Sequence, residues 1–285
     1  MIPIASRDLN DIAVYRLDSS KIDELIPEIV RVFRDDDVVP WHAHDTCLAW
    51  VMQRAKRGFY IALAYCGGKL AGYSEWIETH DQDKKILYLG MMQVDCDMRS
   101  RGIGGAMLRD GEQHAKNIGA LYLRTIPEDE RAHDFYRKHG FCETDCIYVC
   151  TCATMSDAGT DKQGVLAVVS RQVADTQEFI FGLCQSSSRW MYEVANYDPE
   201  MAQFRVISAY MPGGYLQFRY RQGAKTALAL YWTCEQTTTD TVAAILRSGH
   251  LAGFEEIQFY FRTKYVGLFA GQSTDKEGVE IERKL

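Results

Sequence analysis

The residues with the clearest chemical potential are Arg99-Ser100-Arg101-Gly102-Ile103-Gly104-Gly105, which follow an apolar strand pattern (Leu87 to Val94) and a short turn (Asp95 to Met98), and precede a helical pattern running to Gly119. A helix N-terminus exposes unpaired backbone N–H groups and carries a partial positive charge, so it attracts an anion. Glycine at 102 and 104 keeps side chains away from phosphate oxygens and tolerates the positive φ that turns successive amides inward. Arg99 and Arg101 add charge. The chemistry expected is phosphate binding.

The elements that must position this loop follow from periodicity. Strands are expected near 12–17, 59–66, 69–78, 86–95, 120–126 and 145–154, and helices near 19–34, 43–57, 103–118 and 129–139. Cys66-Gly67-Gly68-Lys69 reads as a hairpin turn, so the fold class is mixed α/β (α+β) with an antiparallel meander before the loop. Ile103, Met107, Leu108, Gly111 and Ala115 share one face of the helix and would dock it on the sheet. The polar stretch 156–164 reads as a linker, dividing the chain into domains 1–157 and 165–285. The second, smaller α+β domain is expected to carry strands near 165–170, 203–210, 215–222, 225–234, 255–261 and 264–270 and helices near 173–187 and 237–251, repeating the element order of the first.

Other phosphate motifs do not fit. The dinucleotide fingerprint GxGxxG belongs after the first strand of a βαβ unit, and GxxxxGK[ST] is absent. Residues 99–104 instead match [QR]-x-x-G-x-[GA], and Ala132-His133-Asp134-Phe135-Tyr136-Arg137-Lys138-His139-Gly140-Phe141 matches A-x-x-[FL]-Y-x-x-x-G-F. On these two segments residues 10–155 resemble the GNAT superfamily of N-acetyltransferases. The resemblance implies a mostly antiparallel sheet flanked by helices, with two strands splayed around acetyl-CoA or a longer acyl-CoA. It implies that Met92, Gln93 and Val94 offer backbone groups to the pantetheine arm, that Arg99, Ser100, Arg101, Gly102, Ile103, Gly104 and Gly105 wrap the pyrophosphate, and that Tyr136 protonates the leaving thiolate. The reaction implied is acetyl transfer from acetyl-CoA to a primary amine of a small molecule or peptide, by direct attack in a ternary complex.

A base must neutralise the amine. Family members often place a Glu on the strand before the loop, but Leu87 to Val94 has no carboxylate, and Glu75 on the neighbouring strand pattern is the favoured candidate, beside Glu78 and a water relay. The missing carboxylate also motivates the alternative of a CoA-binding sensor or interaction module with little turnover. Cys96 lacks a His and Asp pairing, so a thiol intermediate is discounted. Asp35-Asp36-Asp37 and Trp41-His42-Ala43-His44-Asp45 combine acidity with an aromatic and could face a cationic amine. Zinc on His42, His44 and Asp45 is disfavoured, since one short loop rarely supplies three ligands.

The second half has no equivalent loop: Thr233 to Asp240 lacks glycine and contains Glu235, so a second CoA site is not expected. Read as a degenerate GNAT-like fold without a CoA loop, this half would be expected to cover the first domain's sheet edge and shape the acceptor pocket. Cys142, Cys146, Cys150 and Cys152 lack CxxC spacing, and alternation puts 146, 150 and 152 on one strand face, so they read as small buried side chains without a metal. The nine cysteines are scattered and expected to be reduced. A net charge of −7 argues against nucleic-acid partners. No apolar run approaches the roughly 18 residues of a membrane helix, and Arg7 and Asp8 interrupt any signal-type segment, so a cytoplasmic location without a membrane partner is expected. The oligomeric state is left open.

Overall fold

The structure is a computed structural model that describes residues 11–35, 43–56, 58–81, 84–156, 178–182, 204–211, 214–233 and 235–285. The chain forms two compact units, residues 1–79 with 84–125 and 282–285, and residues 80–83 with 126–281. The linker expected at 156–164 lies, beyond Ser156, outside the described residues.

The first unit contains β1 (Ile12–Arg16), α1 (Ile22–Val32), α2 (His44–Lys56), β2 (Tyr60–Cys66), β3 (Lys69–Asp81), β4 (Lys84–Val94), α3 (Ile103–Ile118) and β5 (Tyr122–Thr125), and its strands neighbour one another in that order. Two of the helices bury an apolar stripe. In α1 it is Ile22, Ile26, Ile29 and Val32, and in α3 it is Ile103, Met107, Leu108, Gly111 and Ala115. Gly111 permits close approach, because a Cβ there would lie 2.3 Å from the Trp76 ring of β3. β5 pairs with β4 in parallel through only three residue pairs, Ile86 with Tyr122, Leu87 with Leu123 and Tyr88 with Arg124. On its other flank the chain's last residues return: Leu285 N–H donates to Leu121 O at 3.0 Å, and Glu282 accepts from Arg124 Nε at 2.9 Å and Nη2 at 2.5 Å.

The second unit contains α4 (Glu130–Lys138), β6 (Cys142–Ala153), β7 (Glu178–Phe181), β8 (Phe204–Met211), β9 (Gly214–Arg221), β10 (Thr226–Thr233), α5 (Thr239–Leu251), β11 (Glu256–Arg262) and most of β12 (Asp275–Lys284). The strands neighbour in the order β12-β6-β11-β10-β9-β8, with β7 added to β10. β6 pairs antiparallel with β11 from Glu256–Ala153 to Arg262–Ile147. That ladder is why α4 and β6, expected in the first domain, compact with the second unit. Cys150 and Cys152 lie within its core at 2% and 4% exposure.

The strand expected near 165–170 lies outside the described residues. Two other expectations differ. Residues 178–181, expected within a helix, form strand β7 because β10 offers them a ladder. The strand expected at 264–270 is a 3-10 helix, Thr263–Phe269. Helical winding brings both Tyr265 and Phe269 against Phe181, with ring centroids 6.1 and 5.6 Å away. The order β8-β9-β10-α5-β11 repeats β2-β3-β4-α3-β5, including a short parallel pairing of the last two strands (Thr226–Glu256 to Leu228–Gln258).

The Arg124 and Glu282 side chains are 4% and 9% exposed, so breaking the pair strands a charge in a poorly hydrated place. Glu282→Gln is expected to lower unfolding free energy by about 2 kcal/mol, read as the midpoint in urea. An unchanged midpoint would show that the returning strand end adds nothing to the first unit.

Candidate functional site

The loop begins at Asp95, whose N–H donates to Ala71 O at 2.9 Å and whose carboxylate accepts from Asp97 N–H at 3.1 Å, starting a 3-10 turn over Cys96–Met98. Asp95 is 1% exposed. It also accepts from Arg31 and from Arg34 (Nη2 to Oδ1, 2.9 Å), which project from the end of α1. Burial alone would raise the Asp95 carboxyl, but hydrogen bonds from Arg34 and the Asp97 amide, with the charges of Arg34 and Arg31, outweigh it and hold the group below its ordinary value. The turn is thereby clamped to α1.

Beyond the clamp the backbone turns tightly. Arg99 is extended, with φ −62° and ψ 160°, Ser100 has φ 65°, and Gly102 has φ 85° with ψ 4°, immediately before α3. Successive backbone N–H groups in such turns form anion-binding concavities. Among the described residues, the N–H groups of 100–105 meet no protein oxygen, and no side chain caps α3. Gly102 O accepts from Ala106 N–H at 3.0 Å, so the helix starts properly while its first amides stay open. A Cβ at Gly102 would touch only Ile12 Cδ1, at 3.9 Å. The glycine therefore answers a backbone requirement and an open approach, and packing does not demand it. Ser100, Arg101 and Gly102 are exposed.

β4 separates from β5 beside this loop. The last parallel pair is Tyr88 with Arg124, and the Thr125 hydroxyl donates to Leu89 O at 3.0 Å. From Gly90 to Val94 the β5 side of β4 has no strand partner among the described residues, and these five residues are half-buried. Met92, Gln93 and Val94 line that opening, with Val94 O accepting from Arg99 Nε at 3.2 Å.

Arg99 also pairs with the Asp35 carboxylate, and Asp35 Oδ1 accepts from Gln93 Nε2 at 3.1 Å. This contact was missed in the sequence, because Asp35 lies in the turn after α1, 64 positions before Arg99. Asp36, Asp37, Trp41 and His42 lie outside the described residues. His44 and Asp45 are exposed at the start of α2.

Glu75 is 3% exposed and has both oxygens engaged. Oε1 accepts from Tyr73 Oη at 2.6 Å and Trp50 Nε1 at 3.1 Å, and Oε2 lies 3.5 Å from Arg54 Nε. The Arg54 guanidinium stacks 3.7 Å over the Trp50 ring. A carboxylate held by two donors and a cation is chemically an anchor between α2 and β3. Tyr136 belongs to the second unit, where it is 7% exposed and packs edge-on against Phe135 and Phe141. Burial pushes its phenol well above the ordinary 10.

In the second unit the corresponding gap between β10 and β11 is filled. β7 pairs antiparallel with β10 at Tyr231–Phe181 and Thr233–Glu178, and Gly182 N–H donates to Tyr260 O of β11 at 2.9 Å. Phe181 is fully buried there, with the Phe259 ring 5.2 Å away. A cavity of about 280 Å³ elsewhere in this unit is lined by His133, Arg137, Phe141, Cys142, Glu143 and Ile281. Its polar rim is self-paired, with His133 Nε2 3.3 Å from Glu143 and Arg137 Nη1 2.6 Å from Asp134. Among the described residues, Asp95, Cys96 and Asp97 group three metal-type ligand atoms within 4.8 Å, but Asp95 already serves two arginines. No helix among the described residues is long and apolar enough to cross a membrane.

Residues 26–141 match the acetyltransferase (GNAT) family. An uncharacterized N-acetyltransferase of Methanocaldococcus jannaschii is 29% identical over 104 residues, 34% of this chain and 45% of that relative, so the matched region spans less than half the relative's length. Among solved structures, a GCN5-related N-acetyltransferase from Anabaena variabilis superposes with a TM-score of 0.64 at 13% identity, over 96% of this chain and 73% of that one. A tandem GNAT protein from the clavulanic acid biosynthesis pathway superposes with a TM-score of 0.51 at 11% identity, over 96% and 98%. These likenesses show a shared fold.

Glu75→Gln keeps the size of the side chain and removes the charge that Arg54, Tyr73 and Trp50 surround. The expected result is a loss of about 2 kcal/mol in urea unfolding at neutral pH. Undiminished stability would contradict the anchoring role.

Proposed function

Because residues 26–141 match the acetyltransferase (GNAT) family, we propose that the chain transfers an acetyl group from acetyl-CoA to a primary amine of a small molecule or peptide, by direct attack in a ternary complex. The observation that carries this reading is the set of amides at 100–105 that meet no protein oxygen among the described residues, next to a strand whose β5 side has no strand partner among them from Gly90 to Val94. A diphosphate supplies the acceptors those amides lack, and an extended pantetheine amide chain can hydrogen-bond to the Met92, Gln93 and Val94 backbone as a strand would. Arg99, Ser100, Arg101, Gly102, Ile103, Gly104 and Gly105 hold the diphosphate in this reading. Bound there, acetyl-CoA supplies the activated acyl thioester.

Tyr136 is assigned the proton that the departing thiolate needs. Its buried phenol stays neutral through the physiological range, so the proton is available. Glu75, proposed from sequence as the base, is assigned instead to fixing α2, because it is 3% exposed and its carboxylate faces Tyr73, Trp50 and Arg54. The amine then loses its proton through water. The absence of a carboxylate on β4 from Leu87 to Val94 favours one rival reading, a CoA-binding sensor or interaction module with little turnover.

Calorimetry with CoA is expected to give one site per chain, since β7 occupies the equivalent gap in the second unit. Thiol release from acetyl-CoA across an amine panel separates the readings: release supports the enzyme, and binding without release supports the sensor. Tyr136→Phe is expected to lower kcat about a hundredfold. The wild-type rate should not fall between pH 8 and the ordinary phenol value of 10, because the raised pKa moves loss of that proton to higher pH. No affinity for CoA would overturn both readings.

A further inference from the structure

We propose that Asp35 is a positioning residue for the cofactor site, aiming the Arg99 guanidinium at the diphosphate; this rests on the reading that loop 100–105 binds CoA. Asp35 is separated from Arg99 by 64 positions and follows α1, an element that carries none of the loop residues. Its carboxylate spans the site's two parts. One oxygen receives Gln93 Nε2 from the open end of β4, at 3.1 Å, and the other pairs with Arg99 Nη2 at the start of the loop. Both side chains of the ion pair are 30% exposed, so it lies at the surface where a ligand arrives.

Arg99 is thereby held on two of its three nitrogens. Nε donates to Val94 O at 3.2 Å and Nη2 pairs with Asp35, while Nη1 has no partner among the described residues. A guanidinium is planar, so fixing two nitrogens fixes the direction of the third. An arginine otherwise gives up much of its rotamer freedom on being ordered by a ligand. A carboxylate that orders it beforehand removes that cost from the binding step.

Charge alone argues the other way. An aspartate beside a diphosphate site repels the ligand, so a purely electrostatic role for Asp35 requires tighter CoA binding once its charge is removed. Orientation requires weaker binding. The two roles therefore differ in sign, and Asp35→Asn separates them because its amide oxygen can still accept from Gln93 while the ion pair is lost.

The test is CoA titration by calorimetry on the full chain as wild type, Asp35→Asn, Arg99→Ala and the double variant, with thermal midpoints recorded for each. The expected result is about tenfold weaker binding for Asp35→Asn, recovery with Asp35→Glu, and no further weakening when Asp35→Asn is added to Arg99→Ala. Binding by Asp35→Asn that is unchanged or tighter overturns the proposal. So do losses that multiply in the double variant, which would mean that Asp35 acts on the fold and not through Arg99. If Asp35→Asn fails to fold, Asp35→Ser enters the same cycle with the same required outcomes. A wild-type chain with no CoA affinity overturns the proposed function, and this inference with it.

Discussion

The site depends on a helix that starts without a side-chain cap. Most helices satisfy their first amides with a Ser, Thr, Asn or Asp side chain, and this chain does so elsewhere: Asp129 accepts from Ala132 N–H at 2.6 Å at the start of α4. At α3 the preceding residue is Gly102 in a left-handed conformation, and the amides from 100 to 105 are left without protein acceptors among the described residues. Ser100, also left-handed, adds strain that a non-glycine residue seldom carries. Strain and open donors at one place are costly for folding alone, and they become useful when an anion completes them.

Everything nearby holds that arrangement still. Asp95 ties the turn before the loop to the end of α1 through two arginines and to β3 through the Ala71 carbonyl. Gly111 seats α3 on Trp76. The short β4–β5 ladder leaves the strand edge beside the loop available. The second unit shows the same element order with the opposite outcome, because β7 takes the ladder positions that β10 would otherwise leave open. One chain thus contains both an open and a filled version of the gap.

The sequence made the local features legible and left the distant ones hidden. Periodicity located α3, α4 and α5 and the strands from β1 to β6, and the spacing around Gly102 identified the loop, because those signals lie within a few residues of one another. The hairpin at Gly67 and Gly68 was readable for the same reason. What escaped depends on partners far along the chain. Residues 282–285 complete the first unit beside β5, and nothing near Glu282 announces Arg124, 158 positions away. Residues 178–181 extend only because β10 is there to pair with them. Tyr265 and Phe269 alternate plausibly as strand residues, yet a helical turn is what puts both on Phe181. Within the site, Asp35 looked like one member of a solvated acidic triplet until Arg99 and Gln93 were brought to it. Glu75 was found as a candidate by its type and strand, but its accessibility was decided by Trp50 and Arg54 of α2, which a strand pattern cannot reveal.

The most direct measurement is a backbone amide NMR titration of the wild-type chain with CoA, compared with pantetheine, which carries the thiol arm and no diphosphate. The amides of Ser100 to Gly105 are expected to shift strongly with CoA and little with pantetheine. CoA-induced shifts confined to other residues, with those amides unmoved, would contradict the proposed diphosphate site.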